Sequence, residues 1–130
     1  MKISGAGLFM LFFFVLFFQG CATAPTEPFG TRSAVYSQGV FNVTYTNTLF
    51  KTFEASRAAL DKLDIAVTNS GREAEFATIE ASRKDGTSVN LSFRAQKPDI
   101  TDVGIKVGTY GSEELSREIG RRIETELRRN

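Results

Sequence analysis

"FATIEASRKDGTSVNLSFRA", residues 76 to 95, alternates apolar and polar positions on both sides of a short polar break. Ala77, Ile79 and Ala81 share one face of a first strand, and Val89, Leu91, Phe93 and Ala95 share one face of a second. The length of the loop between them sets how they meet. A two-residue Asp85-Gly86 turn pairs 84 with 87 and puts Glu80 opposite Leu91, mixing the faces. A three-residue loop of Lys84, Asp85 and Gly86 ends a type I turn with Gly86 in the left-handed region and pairs 83 with 87. Ala81 then meets Val89, Ile79 meets Leu91 and Ala77 meets Phe93. Every inward residue has an inward partner, so this register is the predicted one.

Working outward, "VFNVTY" (40–45) alternates as a half-buried strand does, with Phe41, Val43 and Tyr45 on one side. "TNT" (46–48) offers N-cap residues, and Leu49, Phe53, Leu60 and Leu63 then fall on one helical stripe, with Phe50 beside it. Asp64 interrupts the helix. Ile65 and Val67 begin a short strand that ends in the turn-rich "NSGRE" (69–73). After the hairpin, "QKPD" (96–99) turns the chain, and Val103, Ile105 and Val107 form a last alternating strand. "GTYG" (108–111) follows. Ser112, Glu113 and Glu114 then open a helix that carries Leu115, Ile119, Ile123 and Leu127 and closes at Arg128 and Arg129. Acids at its start and bases at its end match the helix dipole, and Glu113/Arg117, Glu118/Arg122 and Glu124/Arg128 are spaced for i,i+4 pairing.

The order β-α-β-β-β-β-α predicts an α+β two-layer sandwich over residues 36–130, a mostly antiparallel sheet of about five strands with two helices on one face. The other sheet face is polar on every strand: Asn42 and Thr44, then Thr78 and Glu80, then Asn90, Ser92 and Arg94, then Asp102 and Lys106.

Charge and composition restrict the chemistry. The 130 residues hold 16 basic and 15 acidic side chains, no histidine and one cysteine, Cys21. Only Lys2 lies before Cys21, so the remainder balances at 15 minus 15, or zero. A neutral domain offers no basic face for nucleic acid. Without histidine, the common serine or cysteine nucleophile arrangements and an ordinary zinc site cannot be built, so no catalytic and no metal-ligating residue is expected. A lone cysteine also forbids an intramolecular disulfide.

The leader explains the cysteine. "LFMLFFFVLFF" (8–18) is 11 residues of uninterrupted apolar sequence, about 16 Å as helix against a hydrocarbon core of about 30 Å. With Lys2 before it and small residues after it, the run makes a secretory signal peptide of residues 1–20. A small-x-small site at Ala22-Thr23-Ala24 competes as the cleavage point, but it sets Pro25 just beyond the scissile bond, where the ring fits a protease cleft badly. The alternative junction lies between Gly20 and Cys21. There "FFQGC" resembles the bacterial lipobox at Gly20 and Cys21, and departs from it at Phe18 and Gln19, where leucine and a smaller residue are usual. The resemblance implies diacylglycerol on the Cys21 sulfur and an acyl chain on its freed amine, with no other cofactor. Two or three chains hold a protein on a bilayer essentially permanently. Residues 21–35, with Pro25, Pro28 and Gly30, read as a tether. The remaining alternative is an uncleaved signal anchor.

"DVGIKVGTYGSEELSREIGRRI", "GCA" and "FEASRAALDKLDIAV" together resemble a family of small uncharacterised bacterial lipoproteins with a single domain of unknown function. The resemblance covers most of residues 36–126 and is most specific at "VGTYG...LS". It implies a lipidated envelope protein and carries no activity; Gly108, Tyr110 and Gly111 mark the motif as possible binding residues without assigned chemistry.

Other candidates have plainer explanations. Backbone N–H groups at Gly108 to Ser112 could receive an anion, but the turn lacks the lysine and glycine spacing of a phosphate loop, and Tyr110 is expected to cap the core edge. Arg121, Arg122, Arg128 and Arg129 could meet anionic headgroups, though a solvated helical face accounts for them. Glu73, Glu75 and Glu80, or Asp99 and Asp102, fit turns and outward strand positions better than acid/base pairs.

The expectation is therefore a non-enzymatic envelope lipoprotein on the periplasmic face of the outer membrane, anchored to the membrane by lipid and serving structure or a protein or polymer partner. Ala22 after the cysteine favours the outer membrane. An enzyme or inhibitor acting on envelope polymers through the polar sheet face is the alternative from another class. Gly86→Val should lower stability by roughly 1 to 2 kcal/mol, because valine resists a positive φ. Urea unfolding checks this, and an unchanged midpoint would contradict the three-residue loop.

Overall fold

The loop between the two deciding strands closes as expected. Arg83 N–H donates to the Thr87 carbonyl at 2.9 Å, Gly86 N–H donates to the Arg83 carbonyl at 2.9 Å, and Gly86 has φ 89°. Asp85 adds a side-chain acceptor for Thr87 N–H at 2.9 Å. Ala77 stands opposite Phe93, Ile79 opposite Leu91 and Ala81 opposite Val89. The structure, a computed structural model, describes residues 31–129. Cys21, the Gly20–Cys21 junction and residues 22–30 of the tether lie outside the described residues.

Six strands and two helices follow one another as β1 (Thr31–Ser37), β2 (Val40–Tyr45), α1 (Leu49–Lys62), β3 (Ala66–Arg72), β4 (Phe76–Ser82), β5 (Ser88–Lys97), β6 (Ile100–Val107) and α2 (Glu113–Arg129). The strands form one sheet in the order β1-β2-β6-β5-β4-β3, antiparallel throughout. Helix α1 carries the chain from β2 to the far edge, and the β3-to-β6 meander returns it to β2. The α+β arrangement is the expected one, with one more strand than the sequence pattern displays.

That extra strand, β1, takes in residues 31–35, which the sequence reading assigns to the tether, so the folded domain begins before residue 36. Its alternation is blurred: Ala34 and Tyr36 turn half-buried toward the helices while Val35 is exposed on the other side. It is joined to β2 by Gln38 and Gly39, both at positive φ (52° and 81°), the backbone of a two-residue hairpin turn whose twist matches its strands. A second difference concerns "NSGRE". Asn69 to Arg72 are strand, paired with β4 as far as Arg72 opposite Ala77, and the turn is confined to 73–75. The ladder overrides the turn propensity of these residues. Every residue of β3 is exposed. Six strands span about 24 Å at their usual spacing, while two helices side by side cover about 20 Å, so the helices do not bury the edge strand β3, which meets α1 where Arg72 lies over the Phe50 ring at 4.6 Å.

Helix α1 starts at the Thr48 hydroxyl, which accepts from Lys51 N–H at 3.2 Å. It ends in a Schellman motif. Asp64, at φ 58°, donates its N–H to the Asp61 carbonyl, and Ile65 N–H reaches the Leu60 carbonyl at 2.9 Å. Leu60 and Ile65 are both buried, so the interruption at Asp64 also seats the chain in the core. Phe53 of α1 meets Phe93 of β5 edge-on at 5.7 Å between ring centres.

Helix α2 is placed by an aromatic seat. A Cβ on Gly120 would lie 2.7 Å from Phe41 Cε1 and 3.5 Å from the Tyr45 hydroxyl, and that hydroxyl donates to the Gly120 carbonyl at 2.7 Å. Burial, assisted by the negative charge of Glu124, pushes the Tyr45 phenol far above its ordinary range, so it stays a neutral donor. Arg117 lies over the Phe41 ring at 4.9 Å while pairing with Glu113 at 3.1 Å.

The two helices are joined by Lys62 Nζ and Glu126 Oε1, 2.6 Å apart, with the Glu126 side chain 6 % and the Lys62 side chain 38 % exposed. The Lys62 hydrogen bond holds the Glu126 carboxyl below its ordinary range, with the charges of Lys62, Arg129 and Arg122 in support and desolvation opposing. A depressed folded-state pKa stabilises the fold above the ordinary glutamate value of about 4.3, and that contribution is lost as pH falls through the folded value. Lys62→Met should therefore cost roughly 1 to 2 kcal/mol near neutrality and progressively less as pH falls and Glu126 takes up its proton. Thermal melts across that range check it; a penalty independent of pH would argue against the pair.

Candidate functional site

The "GTYG" segment is a structural joint. Gly108, at φ 78°, donates its N–H to the Ser88 carbonyl at 2.8 Å and closes the end of the β5–β6 ladder. Gly111, at φ 86°, packs so tightly on the β1–β2 turn that a Cβ there would run into Gly39 O and Gly39 Cα and lie 2.7 Å from the Tyr36 hydroxyl. Gly39 reciprocates, since its own Cβ would lie 2.9 Å from the Tyr110 carbonyl. The contact is backbone on backbone, and only glycine permits it.

Tyr110 does not cap the core edge. Its backbone faces Gly39, and the ring stands in solvent, 92 % exposed. The anion reading of this turn also weakens. The Ser112 hydroxyl already accepts from Leu115 N–H at 3.4 Å, and Glu113 and Glu114 fill the first turn with negative charge.

The opposite, open face of the sheet has more to offer a ligand. Two rows cross it. One runs Thr78, Ser92, Gly104, Asn42, Val35, and the next runs Phe76, Arg94, Asp102, Thr44, Ser33. All of these except Thr78 line a shallow depression of about 440 Å³ with Gly104 at its floor. A Cβ on Gly104 would lie 2.9 Å from Ser92 Oγ and 3.4 Å from Val40 Cγ1, so the missing side chain is what keeps the floor low. Asp102 is held from both sides, Oδ1 accepting from the Thr44 hydroxyl at 2.6 Å and Oδ2 from the Gln96 amide. Phe76, 52 % exposed, and Val35 stand as apolar walls.

The family model described as "Protein of unknown function (DUF3568)" matches residues 6–126. The chain belongs to this family. No curated protein matches it. The family's description assigns no activity, so the DUF3568 domain has to be read from its own surfaces. The open face is where the sequence places its nine polar residues from Asn42 to Lys106, and the structure brings them together there. What the sequence reading passes over is Gly104, Phe76 and Val35. A glycine inside the alternating "VGIKV" is the available signal, since strand glycines mark close backbone approach or a ligand. Phe76 breaks the polar phase of β4 in the same way.

The remaining candidates stay scattered. Glu73 and Glu75 sit at the exposed β3–β4 turn, and Asp99 lies in the β5–β6 turn. Arg128 pairs with Glu124 at 3.0 Å, and Arg121, Arg122 and Arg129 ride the same helix. Among the described residues no group of three or more Cys, Asp or Glu is placed to hold a metal ion, and no helix is long and apolar enough to cross a membrane.

The joint and its tyrosine separate by mutation. Gly111→Ala should lower stability by roughly 2 to 4 kcal/mol, from the left-handed backbone and the clash with Gly39. Tyr110→Ser should change it by less than about 0.5 kcal/mol. Parallel urea titrations distinguish a structural motif from one held for its tyrosine.

Proposed function

We propose that this DUF3568 protein is a lipoprotein of the bacterial envelope, a non-enzymatic module that presents the open face of its sheet to a partner. The observation that carries the anchor is Cys21, separated from an 11-residue apolar run only by Gln19 and Gly20 and within the region matched by the family. In this reading the leader is cut between Gly20 and Cys21, the sulfur bears diacylglycerol and the new amine is acylated. Ala22 directs the protein to the periplasmic face of the outer membrane. The nine residues between Cys21 and Thr31 then limit the domain's standoff to about 30 Å.

The partner surface is supported by what the fold leaves uncovered. Both helices lie on one side, and the other side combines a depression, a half-exposed Phe76 and polar groups in fixed register. The partner is an envelope protein or polymer.

Mass spectrometry of the membrane-extracted protein should find an N-terminal peptide that begins at Cys21 with acyl mass. Cys21→Ser should leave the leader attached. An unmodified Cys21 peptide, or an intact Met1 in the membrane fraction, would defeat the anchor. Photo-crosslinking from positions 78 and 90 of the open face should capture a discrete envelope component, whereas capture only from the helical side would refute the binding face.

A further inference from the structure

Of the two charged side chains that line the depression, Arg94 and Asp102, the described fold uses only the second. Arg94 is exposed and lines the depression, directly across the ladder from Asp102. Asp102 nonetheless spends its oxygens on Thr44 and Gln96. Among the described residues the Arg94 side chain closes no ion pair and no hydrogen bond. Its planar fork of donors therefore points to an acceptor from outside, and a carboxylate matches that fork in shape and charge.

We propose that the depression binds a carboxylate-bearing glycan of the envelope. Arg94 holds the sugar's carboxylate and Phe76 takes the apolar face of its ring. Asn42, Ser92 and the remaining lone pairs of Asp102 meet the hydroxyls. The inference rests on the partner-binding reading above and names the partner's chemistry.

Several features select this class. The depression is open rather than deep and mixes apolar surface at Phe76 and Val35 with polar groups at Asn42, Ser92, Arg94 and Asp102, as a sugar with its ring faces and hydroxyls requires, while its volume falls within the usual range for small-ligand sites, about 300 to 1,000 Å³. It is centred on β2, β6 and β5, interior strands whose backbone is consumed by ladders on both sides, and reaches the edge strand β1 at Ser33 and Val35. An extended peptide that adds to a sheet pairs in the plane of an edge strand, and the centre of the depression, over β2, β6 and β5, offers it no backbone partner. A phosphate dianion would bring two charges to a single guanidinium beside Asp102, whereas one carboxylate balances one arginine. Gly104 leaves open the space between Ser92 Oγ and Asn42 Oδ1, which a Cβ would approach to 2.9 and 3.6 Å, so both polar groups stay accessible to a ring lying over the glycine. Ser33 stands two residues from Thr31, so the site sits at the end of β1 that faces the tether.

The test is calorimetric titration of the full-length protein in detergent with four probes. These are the disaccharide of N-acetylglucosamine and N-acetylmuramic acid, its methyl ester, neutral chitobiose and tetraglutamate. The acidic disaccharide should bind at millimolar concentration or below, and the ester and chitobiose at least tenfold more weakly. Arg94→Gln should lose about tenfold or more in affinity, and Phe76→Ser should also weaken binding. Lys106→Gln, on the same face but outside the depression, should stay within twofold. Unchanged melting temperatures establish that the variants fold. Absence of disaccharide binding, or chitobiose binding as tightly, overturns the proposal. Tetraglutamate binding as tightly as the disaccharide replaces the glycan with an acidic peptide. If crosslinking from the open face captures a protein while the disaccharide fails, the binding face stands and this inference alone falls.

Discussion

Helix α2 rests on the rings of Phe41 and Tyr45 at the one helical position that carries no side chain. The Gly120 carbonyl takes the Tyr45 hydroxyl at 2.7 Å, and any Cβ at Gly120 would meet Phe41. Tyr45 is buried, and burial favours the neutral phenol that donates this hydrogen bond. The seat fixes α2 over β2 and β6, leaving α1 to cover the other half of the sheet. Lys62 and Glu126 then join the two helices. Their outer limits follow from width, since two helices do not span six strands, and β3 is left exposed.

A single apolar face on the sheet is what sends both helices to the same side. The register of β4 and β5 aligns Ala77, Ile79 and Ala81 with Phe93, Leu91 and Val89, and β6 and β2 continue the rows through Val103, Ile105, Phe41 and Val43. The same alternation collects Asn42, Ser92, Arg94 and Asp102 on the reverse. The candidate site is thus the necessary complement of the core, produced by the period of two along each strand. Gly104 turns that reverse face from flat to concave. The opposite end of the molecule is governed by another close approach, Gly39 against Gly111, which ties the start of α2 to the β1–β2 turn and leaves Tyr110 projecting.

Much of the fold was legible because its elements obey strong periods. The hairpin loop could be read to the residue, since only a three-residue connection keeps inward residues facing inward. β1 was not legible, because Val35 faces solvent between Ala34 and Tyr36 and blurs the alternation. The C-terminal part of β3 was hidden by Asn69, Ser70 and Gly71, residues of turns that a hydrogen-bonded neighbour holds extended. At the candidate site, the polar set from Asn42 to Lys106 could be collected from alternation alone. The depression could not, since it depends on Gly104 lying between Ser92 and Asn42 on strands far apart in the chain.

Local pattern alone determined the strand phases, the helix stripes, the loop at Gly86 and the expectation that Cys21 is a lipid anchor, because each depends on residues close together in the chain. Tertiary structure decided the sheet order, the seat of Gly120, the Gly39–Gly111 contact and the partners that Asp102 takes in place of Arg94. All of these are meetings of segments distant in sequence. Arg94 shows the difference most clearly: its charge is written in the chain, but only the packing of Thr44 and Gln96 around Asp102 leaves that charge without a partner among the described residues.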